Sequence, residues 1–291
     1  MKTHLSPLTA AVLAAFVAPA ANSQEASTGA PVRADDVTGR DPHAPLQDLI
    51  GTTVRLASPK PRDPEPDPGR GAAAPAPGGA QSAITRIVLD ADDGSIDWVV
   101  IGTAAWLGLP ERHVAVPRDA LRGTTSATDE KRREFVLDAT TERLATQPAF
   151  EDEGLAKRGL AALVNEAREA WQRSGGRVDE TASPLLAESI RPAPVHARDG
   201  RFGAIHEVFS DDRGRRARFV IVRSEGTNWL MPFTALRWTP GDDEACWVID
   251  RPAAALRESG IRYEKPADCL IDPKAAEAAQ AAFARSARTS R

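Results

Sequence analysis

Cysteine is scarce in this chain of 291 residues, which holds only Cys246 and Cys269. Two cysteines with no histidine nearby cannot complete a structural zinc site, and they do not form the Cys-x-x-Cys pair of redox centres. Because the N-terminus indicates export, the even number favours a disulfide between them, with two free buried thiols as the alternative. Such a bridge is expected to be structural and to add about 3 kcal/mol to the free energy of unfolding.

Familiar catalytic motifs are absent as well. The sequence has no Gly-x-Ser-x-Gly, no His-Glu-x-x-His and no Ser-x-x-Lys, and its five histidines are scattered. Such motifs place nucleophiles, bases and metal ligands at the spacing that their chemistry requires. The sequence therefore predicts no catalytic residue, no metal site and no cofactor.

The chain also lacks a strong excess of basic charge and long apolar runs. Its 37 Lys and Arg against 41 Asp and Glu give a net charge of −4, whereas a dedicated nucleic-acid binder carries a clearly basic domain. The apolar stretch from Leu8 to Ala18 is about half of the ~20 residues that span a bilayer. With Lys2 before it and small residues after it, the stretch is typical of a signal peptide over residues 1–23. We predict a periplasmic protein with no transmembrane segment in the mature chain and no nucleic-acid partner.

What the sequence does contain is an internal repeat. Residues 84–144 run through an apolar strand, an acidic turn, a second apolar strand, a Pro-x-x-Ala-Leu element and a short closing strand, and residues 205–256 repeat this order. The landmarks of the first copy are Gly94, Pro117 and Asp138, and those of the second are Gly214, Pro232 and Asp250. The period far exceeds the roughly 20–50 residues of solenoid repeats, so it indicates a duplicated domain.

Composition suggests the boundaries around these copies. We expect a disordered leader (24–45), a first domain (46–150), a helical linker (151–183), a second domain (184–265) and a C-terminal helix or tail (266–291). The first domain contains a proline-rich insert over residues 58–82. This insert has too little apolar surface to fold on its own.

The motifs in the first copy resemble those of a known family. They are Leu49-Ile50-Gly51 with Val54, Ile84-x-x-Ile87-x-Leu89-Asp90 with Asp93-Gly94, Val116-Pro117-x-x-Ala120-Leu121, and Leu144 to Phe150. In this order they resemble a tandem PRC-barrel protein, whose barrel is shared by the cytoplasmic part of the photosynthetic reaction-centre H subunit and the C-terminal domain of a ribosome maturation factor. The second copy departs more, since Arg216 and Arg218 stand where the first has Ile96 and Trp98.

The resemblance implies a mostly β fold, with two small antiparallel PRC-type β-barrels joined by an α-helical linker and followed by a C-terminal helix. It also implies a protein that binds proteins or helps to build assemblies, because the family has no shared catalytic residue to carry over.

Two groups of residues are candidates for such a contact. Trp106 and Leu107 lie in a loop between strands of the first copy, and Trp229 occupies the equivalent place in the second. Aromatic side chains on loops are natural binding anchors, although a ring folded over the core is the alternative. Arg213, Arg215 and Arg216 form a basic strip at the second hairpin. They fit either a contact for an acidic partner or an exposed strand whose charges prevent edge pairing.

Together these observations favour a non-enzymatic adaptor or scaffold that binds a protein partner in the cell envelope. The second hypothesis is a periplasmic module that binds a small ligand or ion. The third is an enzyme with a site between the barrels, for which the sequence identifies no chemistry.

Overall fold

A computed structural model describes six stretches of the chain: residues 43–57, 81–103, 112–125, 133–241, 245–264 and 271–289. These stretches contain fifteen β-strands and six α-helices. The predicted signal peptide, nearly all of the leader and most of the proline-rich insert lie outside the described residues. The protein is mostly β and includes a curled half-barrel sheet. No helix in the described stretches is both long and apolar enough to cross a membrane.

The first sheet is built by residues of the first copy. Its main strands are β2 (Thr53–Leu56), β3 (Gln81–Asp90), β4 (Ile96–Thr103), β5 (Arg112–Pro117), β6 (Leu121–Thr125) and β7 (Arg133–Leu137). They lie in the order β5-β4-β3-β2-β7-β6. Neighbours are antiparallel except for β2 and β7, which run parallel. Strand β3 begins at Gln81, so the end of the predicted insert at residue 82 falls inside a strand.

The second sheet repeats this arrangement strand for strand. Its main strands are β9 (Pro194–Ala197), β10 (Gly200–Ser210), β11 (Ala217–Ser224), β12 (Thr227–Pro232), β13 (Arg237–Thr239) and β14 (Cys246–Ile249). Their order is β12-β11-β10-β9-β14-β13, and the short β15 (Ile261–Arg262) lies beside β12. The one parallel pair, β9 with β14, stands where β2 and β7 stand in the first sheet. The two copies of the sequence therefore fold with one topology.

The two sheets, with the segments that precede them, form the two halves of the protein, and each half contributes a short strand to the sheet of the other. Strand β1 (Ala44–Pro45) precedes the first sheet but pairs with β10, where Pro45 lies opposite Phe209. Strand β8 (Pro184–Leu186) precedes the second sheet but pairs with β3, where Leu185 lies opposite Leu89. This reciprocal exchange ties the halves together through backbone hydrogen bonds.

Helices flank the sheets. They are α1 (Thr141–Ala145), α2 (Asp152–Arg158), α3 (Leu160–Arg173), α4 (Ala187–Ile190), α5 (Ala253–Ser259) and α6 (Pro273–Thr289). The spacing of apolar residues predicts one amphipathic helix over 151–173, but Gly159, with φ of 79°, separates α2 from α3. Helix α3 packs against β5, and α6 packs against the equivalent strand β12.

One apolar core runs through both halves. Side chains of the central hairpins, such as Ile87, Val99 and Val220, are fully buried in it. Leu49, at the end of the short 3-10 helix Leu46–Leu49 that follows β1, is buried in the same core. A smaller cluster lies between the second sheet and α6 and includes Phe219 and Ile271. Because the halves share their main core, the surface where they meet is part of the folded unit.

Candidate functional site

The two hairpin turns, residues 91–95 and 211–216, dock on each other; we call this contact the junction. The amide of Ile96 donates to the carbonyl of Arg215 at 2.7 Å, and the amide of Ala217 donates to the carbonyl of Gly94 at 2.7 Å. Ser95 and Arg216 form an antiparallel bridge between them. The two hairpin turns therefore hold the halves together.

Each turn places a glycine against the other half. Gly94 has φ of 78°, and a Cβ atom there would lie 2.8 Å from Cδ1 of Phe233. Gly214 has φ of 58°, and a Cβ atom there would lie 2.9 Å from Cδ2 of Leu49. Both positions need a left-handed backbone and a close approach, which only glycine supplies without strain.

The side chain of Arg118 donates hydrogen bonds to the backbone of the second turn. It stands in the Pro-x-x-Ala-Leu element where the second copy has Phe233, and only 3% of its surface is exposed. Its Nε donates to the carbonyl of Gly214 at 2.8 Å and its Nη2 donates to the carbonyl of Arg213. Arg133 donates to the carbonyl of Asp212. Three consecutive carbonyls of this turn thus accept hydrogen bonds from arginines of the first half.

Burial lowers the pKa of Arg118 to about 10, and the positive charge of Arg215 acts in the same direction. The guanidinium lies over the ring of Phe135, with Cζ 4.7 Å from the ring centroid. It forms no ion pair with a carboxylate among the described residues. Arg118 was not among the residues predicted from sequence, although an arginine at the position where the second copy has Phe233 was a usable signal.

The predicted basic strip lies on this junction. Arg213 is exposed. Arg215 keeps 54% of its side chain exposed and lies 3.6 Å from Asp119, whereas Arg216 lies 2.7 Å from Asp93. The strip is therefore brought together on a turn whose backbone is fixed by the other half.

Trp229, which the sequence predicts as an aromatic contact residue, is buried in the structure. Trp229 on β12 is 4% exposed, and its ring centroid lies 6.4 Å from that of Phe202. Its ring belongs to the core, in agreement with the alternative interpretation, and offers no anchor to a partner. Trp106 and Leu107 lie outside the described residues.

Only one of the two cysteines has a described position. Cys246 begins β14 and is half-buried. Its predicted partner Cys269 lies outside the described residues, so the disulfide stays a prediction.

Two clefts of similar size adjoin the strip. The junction cleft, of about 620 Å³, is lined by charged side chains of both halves: Arg118, Arg177, Arg215, Arg216, Arg218, Asp97, Asp119, Asp179 and Asp211. The arginine cleft, of about 610 Å³, lies on the second half and is lined by four arginines and a single acid: Arg198, Arg216, Arg218, Arg251 and Asp250. Arg216 and Arg218 line both clefts, so the basic surface continues from one into the other.

The chemistry of this surface is electrostatic. Arginine side chains stay protonated near neutral pH, so they supply fixed positive charge and hydrogen-bond donors rather than proton transfer. In the junction cleft, burial raises the pKa of the Asp97 carboxyl, while hydrogen bonds from Ser95 and Thr181 oppose that rise. Within the described stretches, no group of three or more His, Cys, Asp or Glu side chains is arranged to hold a metal ion.

The sequence matches no protein-family model and no curated protein.

Proposed function

We propose that this chain is a non-enzymatic adaptor of the cell envelope, built from two PRC-type barrels joined by the helical segment 151–183. Export by the predicted signal peptide would place it in the periplasm. The shared strand order of the two sheets and the parallel pair at the same place in each support the duplicated-barrel part of this proposal.

A matching close of each unit supports it further. In the first half the amide of Phe150 donates to the carbonyl of His113, and in the second the amide of Tyr263 donates to the carbonyl of Asn228, each at 2.9 Å. The chain thus returns to the equivalent strand, β5 or β12, at the end of each copy. Such a return is the step that would bring a curled sheet towards closure.

The proposal that this protein binds a partner rests on one observation: the backbone that bears Arg213, Arg215 and Arg216 is held by hydrogen bonds. Arg118 and Arg133 hold the carbonyls of the turn, and Ile96 and Gly94 hold its other edge. A side chain on an ordered backbone loses less conformational entropy when a partner binds than one on a mobile loop. The strip is therefore preorganised for contact.

The present partners of Arg215 and Arg216 leave these two side chains available for exchange. Arg215 with Asp119 and Arg216 with Asp93 are ion pairs between side chains that are all at least 42% exposed. Exposed pairs of this kind contribute about 0–1 kcal/mol. An acidic patch on a partner protein can replace Asp93 and Asp119 at little cost, so we propose an acidic protein surface as the ligand.

Site-specific crosslinking in cells tests this proposal. A photo-reactive residue replaces Arg213 in one variant and Arg237, an exposed arginine on β13, in the other. We expect one protein adduct at position 213 that is missing at position 237. To test the charges themselves, the photo-reactive residue is placed at a third exposed position beside the turn. In that background the double charge reversal R213E/R215E should abolish the adduct, whereas the control change R237E should retain it. If the adduct still forms in the folded double variant, the basic strip is not the contact.

A further inference from the structure

The arginine cleft carries more positive charge than its own acid neutralises. Its described lining contains four guanidinium groups and one carboxylate, that of Asp250. Asp250 is already engaged by Arg198, whose Nε and Nη2 lie 3.0 and 2.9 Å from its Oδ1. Arg216 is engaged by Asp93. Arg218 and Arg251 are left without a carboxylate partner among the described residues.

Arg251 is held in place but incompletely satisfied. Its Nη2 donates to the carbonyl of Phe283 at 2.6 Å, and its Cζ lies 4.4 Å from the centroid of the Phe283 ring. Its Nη1 is buried and has no hydrogen-bond partner among the residues that the structure describes. A buried donor without a partner costs roughly 1–3 kcal/mol, more when it is charged. Burial also lowers the pKa of this guanidinium, as expected for a charge that lacks a counter-ion.

Arg218 supplies a second cation that has no carboxylate partner in the described stretches of the chain. It is exposed on β11, and Arg216 lies two residues before it, just ahead of the strand. Both line the arginine cleft, while Ala217 between them is buried. Arg216 and Arg218 thus contribute two of the four guanidinium groups in the described lining of the cleft.

The rest of the described lining is mostly apolar, with Thr234 and Gln280 as its uncharged polar residues. Phe283 of α6, Pro232, Ala235 and Ile249 complete its wall. Its volume of about 610 Å³ lies within the range of roughly 300–1,000 Å³ that is usual for pockets holding small molecules. This space greatly exceeds what a single inorganic ion needs, so the occupant has an apolar body beside its charge.

We propose that the arginine cleft binds a small organic anion, with its phosphate or carboxylate group on Arg218, Arg251 and Arg198 and its apolar part along Phe283 and Ile249. The guanidinium fork matches both acid groups through paired N–H donors. The cleft shares Arg216 with the basic strip, but the acid group is placed on arginines outside that strip, so this proposal does not depend on the proposed protein contact.

Binding of phenyl phosphate, measured by calorimetry in phosphate-free buffer, tests the proposal. Inorganic phosphate and benzoate are compared with it, so that the first reports the apolar part and the second separates phosphate from carboxylate recognition. We expect saturable binding of phenyl phosphate or benzoate that is at least about tenfold tighter than that of inorganic phosphate.

The variants R218Q and R251K locate the site. Loss of one charge-assisted hydrogen bond should weaken binding of the preferred probe by about tenfold or more, whereas the matched exposed change R237Q should leave it within about twofold. R251K keeps the charge but loses the fork, so it stays informative if removal of the charge prevents folding. Binding that is unchanged in folded R218Q and R251K, or the absence of saturable binding to the unmodified protein, overturns the proposal. The variant R213E/R215E should bind the probe as before, which separates this site from the proposed protein contact.

Discussion

Substitution of Gly94 by alanine measures how strongly the two halves hold each other. A residue with a side chain at a left-handed φ costs roughly 1–2 kcal/mol. The added Cβ would also lie 2.8 Å from Cδ1 of Phe233 and 2.9 Å from the carbonyl oxygen of Ala217. Overpacking of this kind typically adds 1–3 kcal/mol. We therefore expect G94A to lower the free energy of unfolding by about 2–5 kcal/mol in total.

Gly226 provides a matched control. It has the same φ of 78° in the turn between β11 and β12, but a Cβ atom there would meet nothing within 4 Å. G226A should therefore cost only the backbone share of about 1–2 kcal/mol. Urea unfolding of both variants, followed by tryptophan fluorescence, gives the difference. If G94A costs no more than G226A, the close packing of the first turn on Phe233 is refuted.

Two further predictions concern buried groups at the junction and beside it. R118M should cost about 1–3 kcal/mol, because it removes the donors from buried carbonyls, and trypsin should then cut after Arg213 sooner than in R122M, which changes an exposed arginine of β6; equal cleavage in both would contradict the role of Arg118. Burial lowers the pKa of His43 below its usual 6.5, so the unfolded chain takes up a proton that the folded chain does not, and stability is lost as the pH falls from about 6.5 towards the folded pKa. H43Q should lose less stability between pH 7.5 and pH 5.5 than the unmodified protein in urea titrations; parallel losses would remove His43 as a source of the pH dependence.

Local patterns predicted the hairpins because their causes are local. Alternating apolar residues and a turn glycine specify β3 with β4 and β10 with β11 wherever these pairs stand in the fold. Gly159 carried the same kind of signal, since a glycine inside a helical pattern marks a break, yet the apolar spacing on both sides outweighed it in the prediction of one helix.

The site could not be predicted in the same way, because its parts become neighbours only when the halves meet. Nothing in the local sequence of residues 211–216 says that Arg118, about a hundred residues earlier, will bind their carbonyls. The sequence predicts both Trp229 and Arg213 to lie in connections between strands. Only the tertiary arrangement buries Trp229 and leaves Arg213 exposed. Arg251 was not singled out because its lack of a partner is a property of the cleft and not of the residues around it in sequence.

The two halves meet reciprocally but with different chemistry on each side. Phe233 packs against Gly94, whereas its counterpart Arg118 and the side chain of Leu49 contact Gly214. Two identical contacts would let either half pair equally well with a second copy of itself, so this asymmetry favours the pairing of unlike halves within one chain. Burying a guanidinium opposes folding, and here the hydrogen bonds to the Arg213 and Gly214 carbonyls offset that cost. The same bonds immobilise the backbone that carries the exposed arginines, so the residue that distinguishes the halves also orders the surface that we propose for binding.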